Sequence, residues 1–199
     1  MASFPKVKTL TKPIEHPVSI EEAKAQAVIE HSDDDALIDR FIESATDHVQ
    51  RVTGLSLVRQ KKRLYLDGFY STTYLPNGPV QVIDQVQYID GDGATQTLSP
   101  SIYTFDAVEP FLRLAYGQVW PSHRSEINAV WIDYWTGYYT QGSPESSIDL
   151  TVDIPASLKQ AILMLVAEYD RGRESQGDVQ VYSNHAFDCA IAPHRVYVQ

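Results

Sequence analysis

The sequence is poor in cysteine and in positive charge, and it has no long apolar run. Cys189 is the only cysteine in 199 residues, so an intrachain disulfide and a thiolate-rich zinc site are both excluded. That usage suits a reducing compartment, and a cytosolic origin is the default expectation. Lysine and arginine number 16 against 26 aspartates and glutamates, a formal net charge of -10. Such a balance argues against gripping DNA or RNA, because backbone binding runs on basic side chains displacing counterions. DNA passing nearby without being held is compatible with it. Nowhere do about 18 apolar residues run together, and no apolar h-region follows the lysines near the N-terminus, so neither a membrane span nor an export signal is expected. Internal repeats and low-complexity tracts are missing too.

What is present suits one well-buried domain, or one body with an inserted subdomain. A chain of this length buries roughly 70% of its unfolded surface and needs no covalent staple. Tyrosine outnumbers phenylalanine 12 to 6, a bias toward rings that serve half-buried sheets and subunit interfaces alike. After a proline-containing arm, Ser19-Ile20-Glu21-Glu22 has the pattern of a capping box opening a short helix. Asp33, Asp34 and Asp35 then favour a second helix start, at the positive end of its dipole. Ile38, Phe41, Ile42, Ala45, Val49 and Val52 share one face of this helix, and Gly54 supplies its left-handed stop.

From Val58 the pattern changes to short β-rich runs at 59–66, 73–75, 80–89, 95–98, 103–105, 111–114 and 129–135, with a tight turn at 90–93. An antiparallel β subdomain is expected there. A last helix over 155–173 is apolar nearly all round, so both of its faces need cover. The fold class predicted is α+β: a helical bundle from the N- and C-terminal helices, an inserted antiparallel β subdomain and an extended C-terminal tail. The expected segments are 1–57 (arm and helices), 58–140 (β subdomain), 141–153 (linker), 154–174 (C-terminal helix packing on the N-terminal helices) and 175–199 (tail). Ordering the tail costs more than its own apolar side chains return, so it is expected to be mobile in the free subunit, to order on a partner and to be dispensable for folding.

Candidate chemical sites are few. Asp90-Gly91-Asp92-Gly93 resembles the start of a calcium loop, but an EF-hand needs a glutamate where Ser101 stands, and a plain turn explains the residues. The aspartates at 33–35 invite magnesium, and the helix dipole accounts for them without it. His185, Asp188 and Cys189 hint at a thiol nucleophile, in a segment expected to lack the rigidity such catalysis requires. His16, His31, His48, His123 and His194 have no ligand spacing between them, and neither a phosphate-binding Gly-rich loop nor a G-x-S-x-G elbow occurs. No enzyme activity, cofactor or metal is expected. Trp120, Trp131, Trp135, Tyr134, Tyr138 and Tyr139 could form an aromatic platform for sugar rings, which makes a non-catalytic carbohydrate-binding β module the alternative reading.

Taken in order, the segments resemble the head-to-tail connector (adaptor) proteins of long-tailed phages. The resemblance rests on Pro17-Val18-Ser19-Ile20-Glu21-Glu22-Ala23-Lys24, Val52-Thr53-Gly54, Leu75-Pro76, Tyr116-Gly117-Gln118-Val119-Trp120-Pro121 and Thr136-Gly137-Tyr138. It continues through Ile154-Pro155, Leu158-Lys159-Gln160-Ala161-Ile162-Leu163 and Glu168-Tyr169-Asp170-Arg171 to Ala192-Pro193-His194-Arg195-Val196, which is similar to the family's Pro-Tyr/His-Arg ending. The long 141–153 linker and Arg171-Gly172-Arg173 depart from the pattern.

The resemblance implies a subunit of a twelve-fold ring in the neck of a tailed phage, prophage or gene transfer particle, made in the bacterial host cytoplasm. Its implied partners are the portal protein, other copies of itself and a tail-ward stopper or tail-terminator protein. DNA would pass through without specific binding, and no membrane is involved. The implied portal anchor is Ala190, Ile191, Ala192, Pro193, His194, Arg195 and Val196.

Overall fold

The structure, a computed structural model, describes residues 6–138, 153–172 and 185–196. The chain divides into two compact units. Residues 1–13 and 59–138 form a β unit, and 14–58 and 139–199 a helical one.

The β unit holds β1 (Lys6–Thr11), β2 (Gln60–Leu66), β3 (Thr72–Tyr74), β4 (Val80–Ile89), β5 (Thr95–Thr97), β6 (Tyr103–Asp106), β7 (Phe111–Leu114) and β8 (Val130–Thr136). A five-stranded antiparallel sheet runs in the order β1-β2-β8-β4-β5, and a three-stranded one in the order β3-β7-β6. Period-two alternation makes the inner face: Leu64, Val86, Ile132 and Tyr134 pack with Leu75, Leu98 and Leu112 in one apolar cluster. Tyr134 is fully buried, and its hydroxyl donates to the Pro76 carbonyl at 2.9 Å, which satisfies the polar tip. β1 corrects the expected boundary. Part of the N-terminal arm is an edge strand of this sheet, paired with β2 from Lys6 opposite Tyr65 onward.

In the helical unit, α1 (Ile20–Ala27) opens on the expected capping box. The Glu22 amide donates to Ser19 Oγ at 3.1 Å, and the Ser19 amide to Glu22 Oε2 at 2.8 Å. α2 (Asp35–Thr53) buries Ile38, Ile42, Ala45 and Val49 and stops at Gly54, whose φ of 74° is left-handed. α3 (Ala156–Gly172) packs on both. Phe41 and Tyr169 meet with ring centroids 5.9 Å apart.

A short helix, α4 (His185–Ile191), also packs on α3, followed by a 3-10 turn at Ala192–His194. The expectation of an extended tail is therefore corrected for residues 185–194. Phe187 and Ile191 lie four apart on one helical face, and both are buried. α4 packs on α3, and Phe187 meets His48 of α2 with ring centroids 5.7 Å apart, so the helix's own backbone bonds add to a side-chain burial that alone falls short. Residues 141–152 of the expected 141–153 linker, the end of the expected 154–174 helix at 173–174, and the tail residues 175–184 and 197–199 lie outside the described residues.

Candidate partner-binding site

The residues implied as an anchor sit at the end of α4 and just beyond it. Ile191 is wholly buried and belongs to the core of the helical unit. His194 Nε2 and Ser157 Oγ are 2.8 Å apart, and the Val196 amide donates to the Thr53 carbonyl at 2.8 Å. This last bond satisfies a carbonyl at the C-terminus of α2 that the helix leaves without an internal partner. Ala192, Pro193 and Val196 are exposed. The segment is thus held from beneath while presenting a small apolar and proline surface to solvent.

His185 and Cys189 do come together, with Nε2 and Sγ 3.6 Å apart, one turn apart on the exposed side of α4. Asp188 turns to Arg195 at 3.5 Å instead of orienting the imidazole. An exposed thiol beside an imidazole, with its carboxylate engaged elsewhere, lacks the water-excluded setting nucleophilic catalysis uses.

Of the acidic motifs, Asp90 and Asp35 have structural roles. Asp90 accepts from the amides of Asp92 (3.0 Å) and Ala94 (2.9 Å) and from the Gln96 side chain (2.8 Å). The Gln96 bond, followed by that from Ala94, holds the Asp90 carboxyl below its ordinary range. Its oxygens anchor the turn. Asp35 receives the Lys24 ammonium at 2.8 Å. Among the described residues no group of three or more His, Cys, Asp or Glu is placed to hold a metal ion.

The aromatic residues do not form one platform. Trp120 stacks on Phe69 at 4.8 Å and packs against the inner cluster, while Tyr134 is buried within it. Trp131 and Trp135 lie on the outer face of the five-stranded sheet, where cations already cover them. The Arg59 guanidinium stands 4.4 Å from the Trp135 ring centroid, and that of Arg63 5.6 Å from Trp131. A sugar ring would have to displace these cations before it could stack. Tyr139 lies outside the described residues.

Two features of the β unit escaped the sequence reading. Asp133, only 1% exposed, takes a two-pronged bond from Arg63 (Nε 2.6 Å, Nη2 2.8 Å) and another from Gln85 at 2.9 Å. Burial pushes its carboxyl up, but the bonds from Arg63 and Gln85 outweigh it and the net shift is downward. An aspartate alternating with two tryptophans was the available signal, but Arg63 lies 70 residues away and only strand pairing joins them. Lys62 is the second: burial alone depresses its ammonium to about 8.

Residues 17–91 match the family model of phage gp6-like head-tail connector proteins. That match spans 75 of the 199 residues. Solved structures share the whole fold at low identity. A chain from the "Neck of empty GTA particle computed with C6 symmetry" superposes with a TM-score of 0.74 at 17% identity, covering 98% of this chain and 97% of that one. One from the "Virion of native gene transfer agent (GTA) particle" gives 0.74 at 18%, covering 97% of each. One from the "Neck of native GTA particle computed with C12 symmetry" gives 0.72 at 18%, covering 98% and 97%. No curated protein sequence matches. The connector match covers α1, α2 and β2 to β4, and the likeness of fold extends through α4.

Proposed function

We propose that the chain is a structural head-tail connector (adaptor) subunit, not an enzyme, which forms a ring in the neck of a tailed phage or phage-derived particle. The observation that carries this is the connector match over 17–91 in a chain whose near-complete fold recurs in the neck of gene transfer agent particles. The C12 symmetry of one such neck supports a twelve-copy ring. On this reading the ring stands between the portal protein and a tail-ward stopper or terminator, and DNA passes through it without specific binding. A net charge of -10 agrees with that, since the passage must not hold DNA. On the same reading the chain is made in the bacterial host cytoplasm and ends in the particle.

The 190–196 segment is proposed as the portal anchor, acting through exposed Ala192, Pro193 and Val196. Ile191 fixes the segment from behind. Single contacts of this size are weak, and a ring multiplies them.

The test is co-purification of the chain with the portal protein of the same particle, followed by electron microscopy. Rings at the portal are expected, and a chain that ignores portal at every concentration would refute the reading. Ala192→Glu/Val196→Glu probes the anchor without removing α4: portal capture should fall while the helical content stays. Undiminished capture would move the anchor elsewhere.

A further inference from the structure

The charges of the chain are divided unevenly between its two units. Segments 1–13 and 59–138 hold nine basic and eight acidic residues, whereas 14–58 and 139–199 hold seven and eighteen, so their formal charges are +1 and -11. Within the β unit the basic residues gather at one edge. β1 is the last strand in the five-stranded order, and β1 and β2 together carry Lys6, Lys8, Lys61, Lys62 and Arg63 with no acid among them. Cross-strand register places Lys6 opposite Tyr65 and Lys8 opposite Arg63, on the outer sheet face. Arg63 is neutralised by Asp133, and Lys61 by Asp84 at 2.7 Å. Lys6 and Lys8 are exposed and have no acidic partner among the described residues.

The complement lies on the helical unit. Asp35, Asp39, Glu43 and Asp47 recur every four residues along one side of α2. Lys24 answers Asp35 at 2.8 Å and His16 answers Asp39 at 3.1 Å. Glu43 and Asp47 are exposed, with no basic partner among the described residues. Like charges four apart on a helix repel each other, and Arg51 follows only at the end of the row, so cations from outside would stabilise this stripe.

We infer that the β1–β2 face of one copy docks on the acidic α2 stripe of the next copy, an inference that rests on the connector reading. Two different patches on one chain make a head-to-tail contact, which closes into a ring when the rotation allows. Complementary charge sets the register of such a contact and makes its formation sensitive to salt. A nucleic acid would also meet the lysines, but the acidic remainder of the chain repels it.

The test uses full-length chains in sedimentation at low salt and at about 0.5 M salt, where exposed charges are screened. Wild type should associate at low salt and dissociate at high salt. Lys6→Glu/Lys8→Glu and Glu43→Lys/Asp47→Lys should each weaken low-salt association by roughly tenfold or more, with unchanged circular dichroism. Mixing the two variants should restore it, because each then presents a face the other can accept. Association indifferent to both reversals, or a mixture that stays apart, overturns the contact, as does a wild type monomeric at low salt. Portal capture, measured separately, reports on the connector reading whichever way the contact falls. Retardation of duplex DNA by wild type but not by Lys6→Glu/Lys8→Glu, with self-association unaltered, overturns it in favour of nucleic acid.

Discussion

Val28 closes α1 with φ at 61°, in the left-handed region where a β-branched side chain is strained, and its side chain is 83% exposed, so little burial offsets the strain. Val28→Gly should stabilise the helical unit by about 1 kcal/mol in urea denaturation, strain relief exceeding the entropy cost of glycine; a lowered midpoint would count against this. Arg63 makes the opposite case. Arg63→Met leaves the Asp133 carboxylate buried without its cation and should cost about 3–5 kcal/mol, while Arg63→Met/Asp133→Leu should recover most of the loss. Because the Asp133 carboxyl lies below its ordinary range in the folded chain, its contribution is complete above about pH 4 and is lost as pH falls through the depressed folded value. Lys62 carries the reverse pH signature. Its ammonium drops from 10.5 to about 8 on folding, so the unfolded chain binds more protons between those values and stability should rise with pH across that window. Lys62→Met should raise the thermal midpoint at neutral pH and abolish that rise.

At the scale of elements, α4 is the part whose role changed most. Ile191 is wholly buried, so Ile191→Ala should destabilise the helical unit by about 2–5 kcal/mol, and removal of everything after Glu174 should also destabilise it. Truncation is therefore a poor probe of portal binding, since it confounds anchor and core, and substitutions at Ala192 and Val196 separate the two. Amide exchange offers an independent check: protection at the Val196 amide, bonded to the Thr53 carbonyl, is expected in the isolated chain. β1 is the converse case. Its Lys6 and Lys8 alternate with Val7, which packs against the inner cluster, and these lysines suit an exposed sheet edge that must not pair indiscriminately.

For the molecule as a whole, the proposed ring joins an acidic helical unit to a nearly neutral β unit. Its assembly should weaken with rising salt, and portal capture with electron microscopy tests whether the ring stands where the connector reading puts it. The glycan alternative also belongs to this scale. Arg59 and Arg63 cover Trp135 and Trp131, so intrinsic tryptophan fluorescence should not change across a broad panel of sugars. A saturable change would reopen that reading.

Local chemistry was sufficient for much of the fold. The capping box at Ser19, the apolar face of α2 with its Gly54 stop and the seven β-rich runs were legible because caps, helical spacing and strand alternation act within a few residues. Strand β1, the helical form of 185–194 and the Arg63–Asp133 pair were not, for each depends on a partner distant in the chain. Lys6–Thr11, apolar only at Val7 and Leu10, becomes a strand by pairing with β2, and a short helix persists by packing on α3 and, through Phe187, against His48 of α2. The segment implied as an anchor shows both sides. The Ala192-Pro193-His194-Arg195 ending could be read directly from the sequence, but which of its side chains face solvent was decided by packing.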